Sequence, residues 1–395
     1  MIKAAVLADD FTGALDTCVQ FSSRGIHAVM YTDGQWETPD EKGNCIAVLN
    51  IMTRHMSPEA ACETVFHTVL KMKKAGVEYI YLKTDSGLRG NIGAYLAGAV
   101  QAWGNGVVFA PAYPDAGRIV RNGILYIDGV PVIESVFAKD ALNPVRYAHV
   151  ADIIHEQAQI DVFSDYRPKL YAVCLQDATN NRELLEIANR SIRSGYTLFA
   201  GCAAFAFALA SFAVSETKPQ SPPELSFPIV AVSGSRSPIT FRQFKNGAEC
   251  GFSIYTVQDI LCDAPAVDPI LKEICRNPDK GLLISIPELL ETDFIDPEQI
   301  GQRICRNLGR ITKEILGNGF HGTFMIVGGD TLSRVVSALQ IVRICPVCEI
   351  ETGVVVSYVS TTEYGSFKMI TKSGSLGSEK LFQLILAHAA APADG

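Results

Sequence analysis

The stretch "AAVLADDFTGALDT" (residues 4–17) runs from an apolar strand into small and polar residues, with two adjacent acids, Asp9 and Asp10, at the junction. A carboxylate desolvated at such a strand end costs several kcal/mol unless something compensates it. Two readings fit. Asp10 or Thr12 caps a helix running from Gly13 toward Ser23 by accepting its free amides. Alternatively the acid pair receives a ligand, because open parallel sheets bind ligands beyond the carboxyl ends of their strands. This stretch alone leaves both open.

The pattern outward from it decides the fold class. Short buried strands are predicted at 3–8, 27–31, 45–50, 79–83, 106–110, 170–175 and 197–201. Helical patterns separate most of them, as in "SPEAACETVFHTVLKMKKAG" (57–76), which opens on a Ser cap with Pro at the first helical position. Such β-α alternation implies α/β architecture with a mainly parallel, doubly wound sheet. The proline-rich "SETKPQSPPELSFP" (215–228) reads as a linker. Beyond it the alternation restarts, with strands at 229–235, 280–286, 322–330, 349–359 and 367–374. The expectation is two domains, 1–214 and 229–395, each a doubly wound sheet, with the active site in the interdomain cleft.

Bulk numbers narrow the function. A chain of 395 residues, 48% hydrophobic and 19% charged, is globular and too long for one ordinary core. Its net charge of -8 argues against a nucleic-acid surface, which needs a basic stripe. The 11 cysteines are mostly scattered singly on apolar stretches, as reduced thiols of a cytoplasmic protein are. "CPVC" (345–348) has redox or zinc spacing but no second pair to complete a metal site. No signal peptide is visible, and "YTLFAGCAAFAFALASFAV" (196–214) reads as a strand, a turn at Gly201 and a buried helix, not a membrane span. The seven histidines form no HExxH or close cluster and read as structural or exposed.

"YLKTDSGLRGNIGAYLAGA" (81–99) places Lys83, Asp85, Ser86, Arg89 and Asn91 between a strand end and a helix start. Asn91 as N-cap and Asp85–Arg89 as a surface pair is one reading. The other lets Arg89 grip a substrate carboxylate bidentately while Asp85 accepts hydrogen bonds from sugar hydroxyls. In "APAYPDAGRIVRNGILYIDGVPV" (110–132), Arg118 and Asn122 are candidates for the substrate's far end, and Asp128-Gly129 reads as a hairpin turn. Three Gly/Ser-rich turns follow strands in the second half: Ser233–Ser237, Gly328–Thr331, and Lys372–Gly374. Small residues let backbone amides approach an anion, and helix N-termini add positive charge. None matches GxxxxGK[ST] or GxGxxG, which also tells against a nicotinamide dehydrogenase. Together they point to a nucleotide phosphate site involving Ser235, Ser237, Gly328, Gly329, Asp330, Thr331, Lys372 and Gly374.

Taken in order, "ADDFTGA", "KTDSGLRGN", "APAYPDAGR", "SGSRSP", "GGDT" and "TKSGSLG" resemble the motifs of the four-carbon acid sugar kinase family, from Ala8 to near Gly377. The resemblance implies a sugar-acid-binding N-terminal domain and an ATP-binding C-terminal domain that phosphorylate the terminal hydroxyl of a tetronate. The expected acceptor is D-threonate or D-erythronate, with 3-oxo-tetronate, or a sugar-acid-binding protein without catalysis, as alternatives. It implies Asp9, Asp10, Lys83, Asp85, Ser86 and Arg89 on the substrate side, and Ser235, Gly328–Thr331 and Gly374 on the ATP side. Departures are Leu376 where Phe is usual before Gly377, Gly87 where Thr is commoner, and no Gly-Ser pair in "FAGCAAF" (199–205). The first bears on nucleotide packing and the second on which acid fits.

Phosphoryl transfer needs an in-line hydroxyl and neutralised phosphate charge. An Asp beside the acceptor hydroxyl orients it and takes its proton, and Asp10 and Asp85 are the two candidates. Arg89 would fix the sugar's carboxylate. The expected cofactors are ATP and Mg²⁺, with no metal ligand assigned. The expected partners are small molecules, not nucleic acid or membrane, with a homodimer as the assembly to test.

Overall fold

The computed structural model describes residues 4–32, 45–140, 142–166, 169–213, 223–288, 297–374 and 376–390. The chain forms two compact units, residues 1–219 and 220–395. Part of the stretch read as linker, 215–222, lies outside the described residues. Leu225, within the same stretch, is buried in the core of the second unit.

The first unit contains β1 (Ala4–Ala8), α1 (Phe11–Ser22), β2 (His27–Tyr31), β3 (Cys45–Asn50), α2 (Pro58–Lys74), β4 (Tyr79–Lys83), α3 (Ile92–Trp103) and β5 (Val107–Ala110). A small antiparallel sheet follows, β6 (Arg118–Arg121), β7 (Ile124–Ile127) and β8 (Val130–Pro131). Then come α4 (Val150–His155), β9 (Asp161–Phe163), β10 (Ala172–Leu175), α5 (Asn181–Arg193), β11 (Leu198–Gly201) and α6 (Ala203–Ala213). The main strands lie in the order β2-β3-β1-β4-β11-β5-β10-β9, every pair parallel. Apart from Val162 on the edge strand β9, their Val, Leu and Ile residues are buried on both faces, as helices covering both sides require.

Chain direction across this sheet positions the site. From β1 the chain moves to β2 and returns through β3, and α2 then carries it across to β4 on the other side of β1. That reversal makes β1 a topological switch point, where doubly wound sheets open a crevice. The turn expected at Asp128-Gly129 is present, with both residues at positive φ (48° and 88°). Asn122, a candidate substrate contact, instead occupies a second hairpin turn with Gly123, at φ 53°, and is exposed.

The second unit contains β12 (Ile229–Ser233), α7 (Pro238–Glu249), β13 (Ser253–Thr256), α8 (Asp268–Arg276), β14 (Gly281–Ser285), α9 (Pro297–Gly317), β15 (Thr323–Val327) and α10 (Gly329–Ala338). It ends with β16 (Ile341–Glu351), β17 (Val354–Thr361), β18 (Ser366–Lys372) and α11 (Leu381–Ala390). The strands β13-β14-β12-β15-β18 are parallel, while β18-β17-β16 form an antiparallel edge. The stretch 349–359, read as one strand, is a hairpin turning at Gly353 (φ 76°). Cys345 and Cys348 lie along β16, where burial pushes both thiols up, Cys348 to about 11. Neither is an activated thiolate. Among the described residues, no helix is long and apolar enough to cross a membrane.

Candidate active site

Parallel register assembles the first half of the site. Ala8 pairs with Asn50 on one side and Lys83 on the other, so the chain leaves β1, β3 and β4 at one edge. Asp9 and Asp10 follow β1, a short turn at Thr53–His55 follows β3, and Asp85 follows β4. The three acids converge on Arg54. Its Nε and Nη2 donate to Asp9 at 2.9 and 3.1 Å, its Nη1 donates to Asp10 at 2.8 Å, and Nη2 lies 3.6 Å from Asp85. The capping reading of the opening stretch holds, because Asp10 caps α1, accepting from the Gly13 amide at 2.8 Å, while the charge of the acid pair is met by Arg54.

Sequence reading missed Arg54. "NIMTRHMSP" (50–58) carries no motif, and the residue acquires its role only when β3 pairs beside β1. The Arg54 turn is tied down by Asn91, whose Nδ2 donates to the Thr53 and Met56 carbonyls at 2.8 Å each. Asn91 therefore does not cap α3 with its side chain. Gln157 does so instead, accepting from the Gly93 amide at 2.9 Å and donating to the Gly90 carbonyl at 2.9 Å.

The carboxylates differ in state. Burial raises the Asp9 carboxyl above the ordinary range, against the opposing pull of Arg54. At Asp10 burial acts in the same direction, but Arg54, Lys83 and the Thr12 hydroxyl outweigh it and hold the carboxyl low. Asp85 is desolvated too, yet Arg54 and Arg89 drive its carboxyl well below the usual range. Lys83 keeps its proton: burial disfavours the charge, and Asp16, Cys202, Asp10 and Asp9 restore it.

Asp85 is also saturated. It accepts from Arg89 Nε and Nη2 at 2.9 Å each, from the Gly87 amide at 3.1 Å and from the Arg89 amide at 3.2 Å. The fork of Arg89, expected to hold a substrate carboxylate, is thus closed on Asp85, and its Nη1 donates to Asp140 at 3.0 Å. Ser86 sits half-buried in the turn between them. Arg118, at the start of β6, has a buried Nε without a hydrogen-bond partner. Asp10 is the most open of the three acids, its side chain 22% exposed against 7% for Asp9 and 9% for Asp85.

The second unit brings its three turns together by the same device. Ser233 pairs with Val327 and Val327 with Lys372, so β12, β15 and β18 end level. Thr240 Oγ1 donates to the Gly374 carbonyl at 3.0 Å and lies 3.3 Å from Ser235 Oγ, joining the first turn to the third. The Gly328 amide donates to the Lys372 carbonyl at 2.8 Å, joining the second to the third. A Cβ on Gly374 would fall 2.6 Å from Ser235 Oγ, so glycine permits this closure. Neither α7, after Ser237, nor α10, after Gly328, has a side-chain cap, which leaves both N-termini suited to an anion. Thr331 is buried in the first turn of α10, where Asp330 is exposed.

Lys372 is 1% exposed, and its Nζ donates to the Ser373 carbonyl at 2.7 Å. Burial lowers its pKa to about 8, with Glu351 opposing. Gln243, which sequence reading also missed, donates through Nε2 to the Gly377 and Ser378 carbonyls at 3.0 and 2.9 Å and shapes the last motif. Leu376 fills the space over Gly353, where a Cβ would meet its Cδ1 at 2.5 Å.

Residues 4–209 match the family model described as a sugar-binding N-terminal domain, and residues 230–382 match the one described as a nucleotide-binding C-terminal domain. The chain belongs to the four-carbon acid sugar kinase family. It is 27% identical to the D-threonate kinase of Salmonella typhimurium LT2, over 96% of each chain. It is 24% identical to the D-erythronate kinase of Heliobacterium modesticaldum, over 86% of each. Among solved structures, a Salmonella typhimurium LT2 protein described as a tRNA synthase superposes with a TM-score of 0.79 at 22% identity, covering 98% of this chain and 99% of that one. At that identity the likeness establishes shared fold alone. As a member of the family, the chain is a kinase.

Proposed function

We propose that this kinase transfers the γ-phosphate of ATP to the terminal 4-hydroxyl of a four-carbon sugar acid, D-threonate or D-erythronate. The observation that carries the reading is the cluster at the β1 switch point, where three acids and three cations, Arg54, Lys83 and Arg89, meet at one sheet edge. Such a surface offers acceptors to hydroxyls and donors to a carboxylate, as a hydroxy acid requires.

Asp10 orients the acceptor hydroxyl and takes its proton. Of the two candidates it is the more open, whereas Asp85 is saturated with donors and too weak a base. Asp85 instead fixes Arg89, and Arg54 holds all three acids in place. Asp9 and Ser86 line the hydroxyl side, Lys83 supplies fixed positive charge, and Arg118 meets the acid end of the acceptor.

On the donor side, the amides of the Ser235–Ser237, Gly328–Thr331 and Gly374 turns hold the ATP phosphates, with Lys372 beside them. Among the described residues, no group of three His, Cys, Asp or Glu side chains is placed to hold a metal alone. A Mg²⁺ arriving on the nucleotide needs only one or two protein carboxylates, and exposed Asp330 fits that part. When bound, the ion neutralises phosphate charge.

A coupled ADP-release assay with D-threonate, D-erythronate and 3-oxo-tetronate tests the reading. Acceptor-dependent turnover, greatest with D-threonate or D-erythronate, is expected. Turnover with none of the three, or equal ATP consumption without acceptor, would overturn it.

A further inference from the structure

Gly87 follows the most constrained carboxylate of the cluster, yet its backbone lies outside the left-handed region and does not itself require glycine. What glycine leaves is room. A Cβ at residue 87 would fall 2.4, 2.6 and 2.7 Å from Cδ1, Cγ and Cε1 of Phe137. Phe137 is carried there by the short turn Val136–Lys139, with Ser135 Oγ accepting from the Phe137 amide at 3.2 Å. Its carbonyl in turn accepts from the Val145 amide at 3.1 Å.

Two guanidinium groups approach this one ring. Arg89 Cζ lies 5.1 Å and Arg118 Cζ 5.9 Å from the ring centroid, both within cation–π range. They differ in what they have left to donate. Arg89 is committed to Asp85 and Asp140, while Arg118 keeps a buried N–H with no acceptor. A buried donor left unpaired is costly and marks where an acceptor belongs. Asp140, one residue past the Phe137 turn, shows that a carboxylate oxygen fits against the Arg89 guanidinium on this ring.

We propose that Phe137 is a positioning residue for the acceptor's carboxylate: its ring, admitted by the bare Cα of Gly87, holds Arg118 with its free N–H presented to the acid end of the substrate. The inference rests on the reading that the first unit takes a short hydroxy acid. Arg118 makes the contact, and Phe137 acts through it.

The test is steady-state kinetics on Phe137→Leu, Phe137→Tyr, Gly87→Ala and the Gly87→Ala/Phe137→Leu pair. Phe137→Leu is expected to raise KM for D-threonate about tenfold, with kcat and KM for ATP within about twofold. Phe137→Tyr keeps the ring face and should stay within about twofold of wild type. Gly87→Ala should reproduce the defect, and the double variant should be no worse than the worse single change. On the primary amide of the same acid, which has no carboxylate to lose, the Leu variant should match wild type. Equal rises in both substrates' KM, additive defects, or equal losses on acid and amide would overturn the proposal. Calorimetric binding of D-threonate without nucleotide separates it from the parent reading. If wild type binds the acid but consumes no ATP, the activity reading fails alone, and an unchanged Kd in Phe137→Leu overturns this one. If wild type binds no tetronate at all, both fall.

Discussion

The Arg54 cluster of the first unit and the turns of the second handle charge in opposite ways. Around Arg54 the polar groups are charged side chains, and Asp9, Asp10 and Asp85 each meet a guanidinium at 2.8–3.1 Å. Around Lys372 the polar groups are backbone amides and hydroxyls, with one buried cation whose proton is held weakly. The contrast follows from the ligands proposed for them. A polyol acid needs both donors and acceptors at fixed positions, whereas a polyphosphate needs only donors. The first site must therefore carry its own compensation, and the second leaves its charge to be completed by the ligand.

The sharpest way to break this contrast is to remove the compensation. Arg54→Ala leaves three carboxylates facing one another in a buried edge, and stability should fall by about 3–5 kcal/mol in urea denaturation. Arg54→Lys is expected to recover only part, because one ammonium cannot replace the fork that meets Asp9 and Asp10 together. An Arg54→Ala protein as stable as wild type would show that the cluster is not held by this residue.

Asp10→Asn keeps the helix cap but takes one carboxylate from Arg54. Asn caps a helix about as well as Asp, so the fall in melting temperature should come from the lost Arg54 pair alone and be smaller than that of Arg54→Ala. The lost base should lower kcat by about 10²–10⁴-fold. An active Asp10→Asn enzyme would move the acceptor role elsewhere.

These two residues also mark what was legible in advance. The strands ending at Ala8 and Lys83 and the acids after them stand out, because apolar runs stop abruptly at charged residues. Arg54 does not, since its meaning depends on which strand lies beside β1, and neighbours in a parallel sheet leave no local trace in the chain. Arg89 stood out in the sequence as a candidate, but its geometry did not: the choice between a substrate fork and an Asp85 fork is made by backbone turns, not composition. Asn91 looked like a cap from position alone, while the capping residue, Gln157, lies 64 residues from the Gly93 amide it accepts. In the second unit the Gly/Ser turns announced themselves. The antiparallel edge did not, because β-branched runs read alike in parallel and antiparallel pairing.

The nucleotide side is sharpened by pH. A buried lysine whose pKa falls from 10.5 to about 8 disfavours the folded state below that pH, and this cost is relieved as pH rises between the two values. Binding should run the other way: KM for ATP is expected to rise as pH passes above about 8, when Lys372 loses its charge. Lys372→Met should raise KM for ATP at neutral pH and flatten its alkaline rise, leaving KM for the acid unchanged. A pH profile identical to wild type would detach Lys372 from the phosphates.

The smallest effect belongs to a residue that touches neither ligand. Gln157→Ala uncaps α3 and should cost about 1 kcal/mol in denaturant unfolding, with kcat and both KM values near wild type. A large loss of turnover would mean that the Gly90–Asn91 segment tunes the Arg54 cluster as well as supporting it.

The most direct measurement is a crystal structure with D-threonate and a non-hydrolysable ATP analogue. The acid's terminal hydroxyl is expected within hydrogen-bonding reach of the Asp10 carboxylate, about 2.6–3.2 Å, with its carboxylate at Arg118 and the phosphates on the Gly328–Thr331 turn. A sugar acid bound away from Asp10 and Arg54, or one whose carboxylate rather than hydroxyl faces Asp10, would contradict the account.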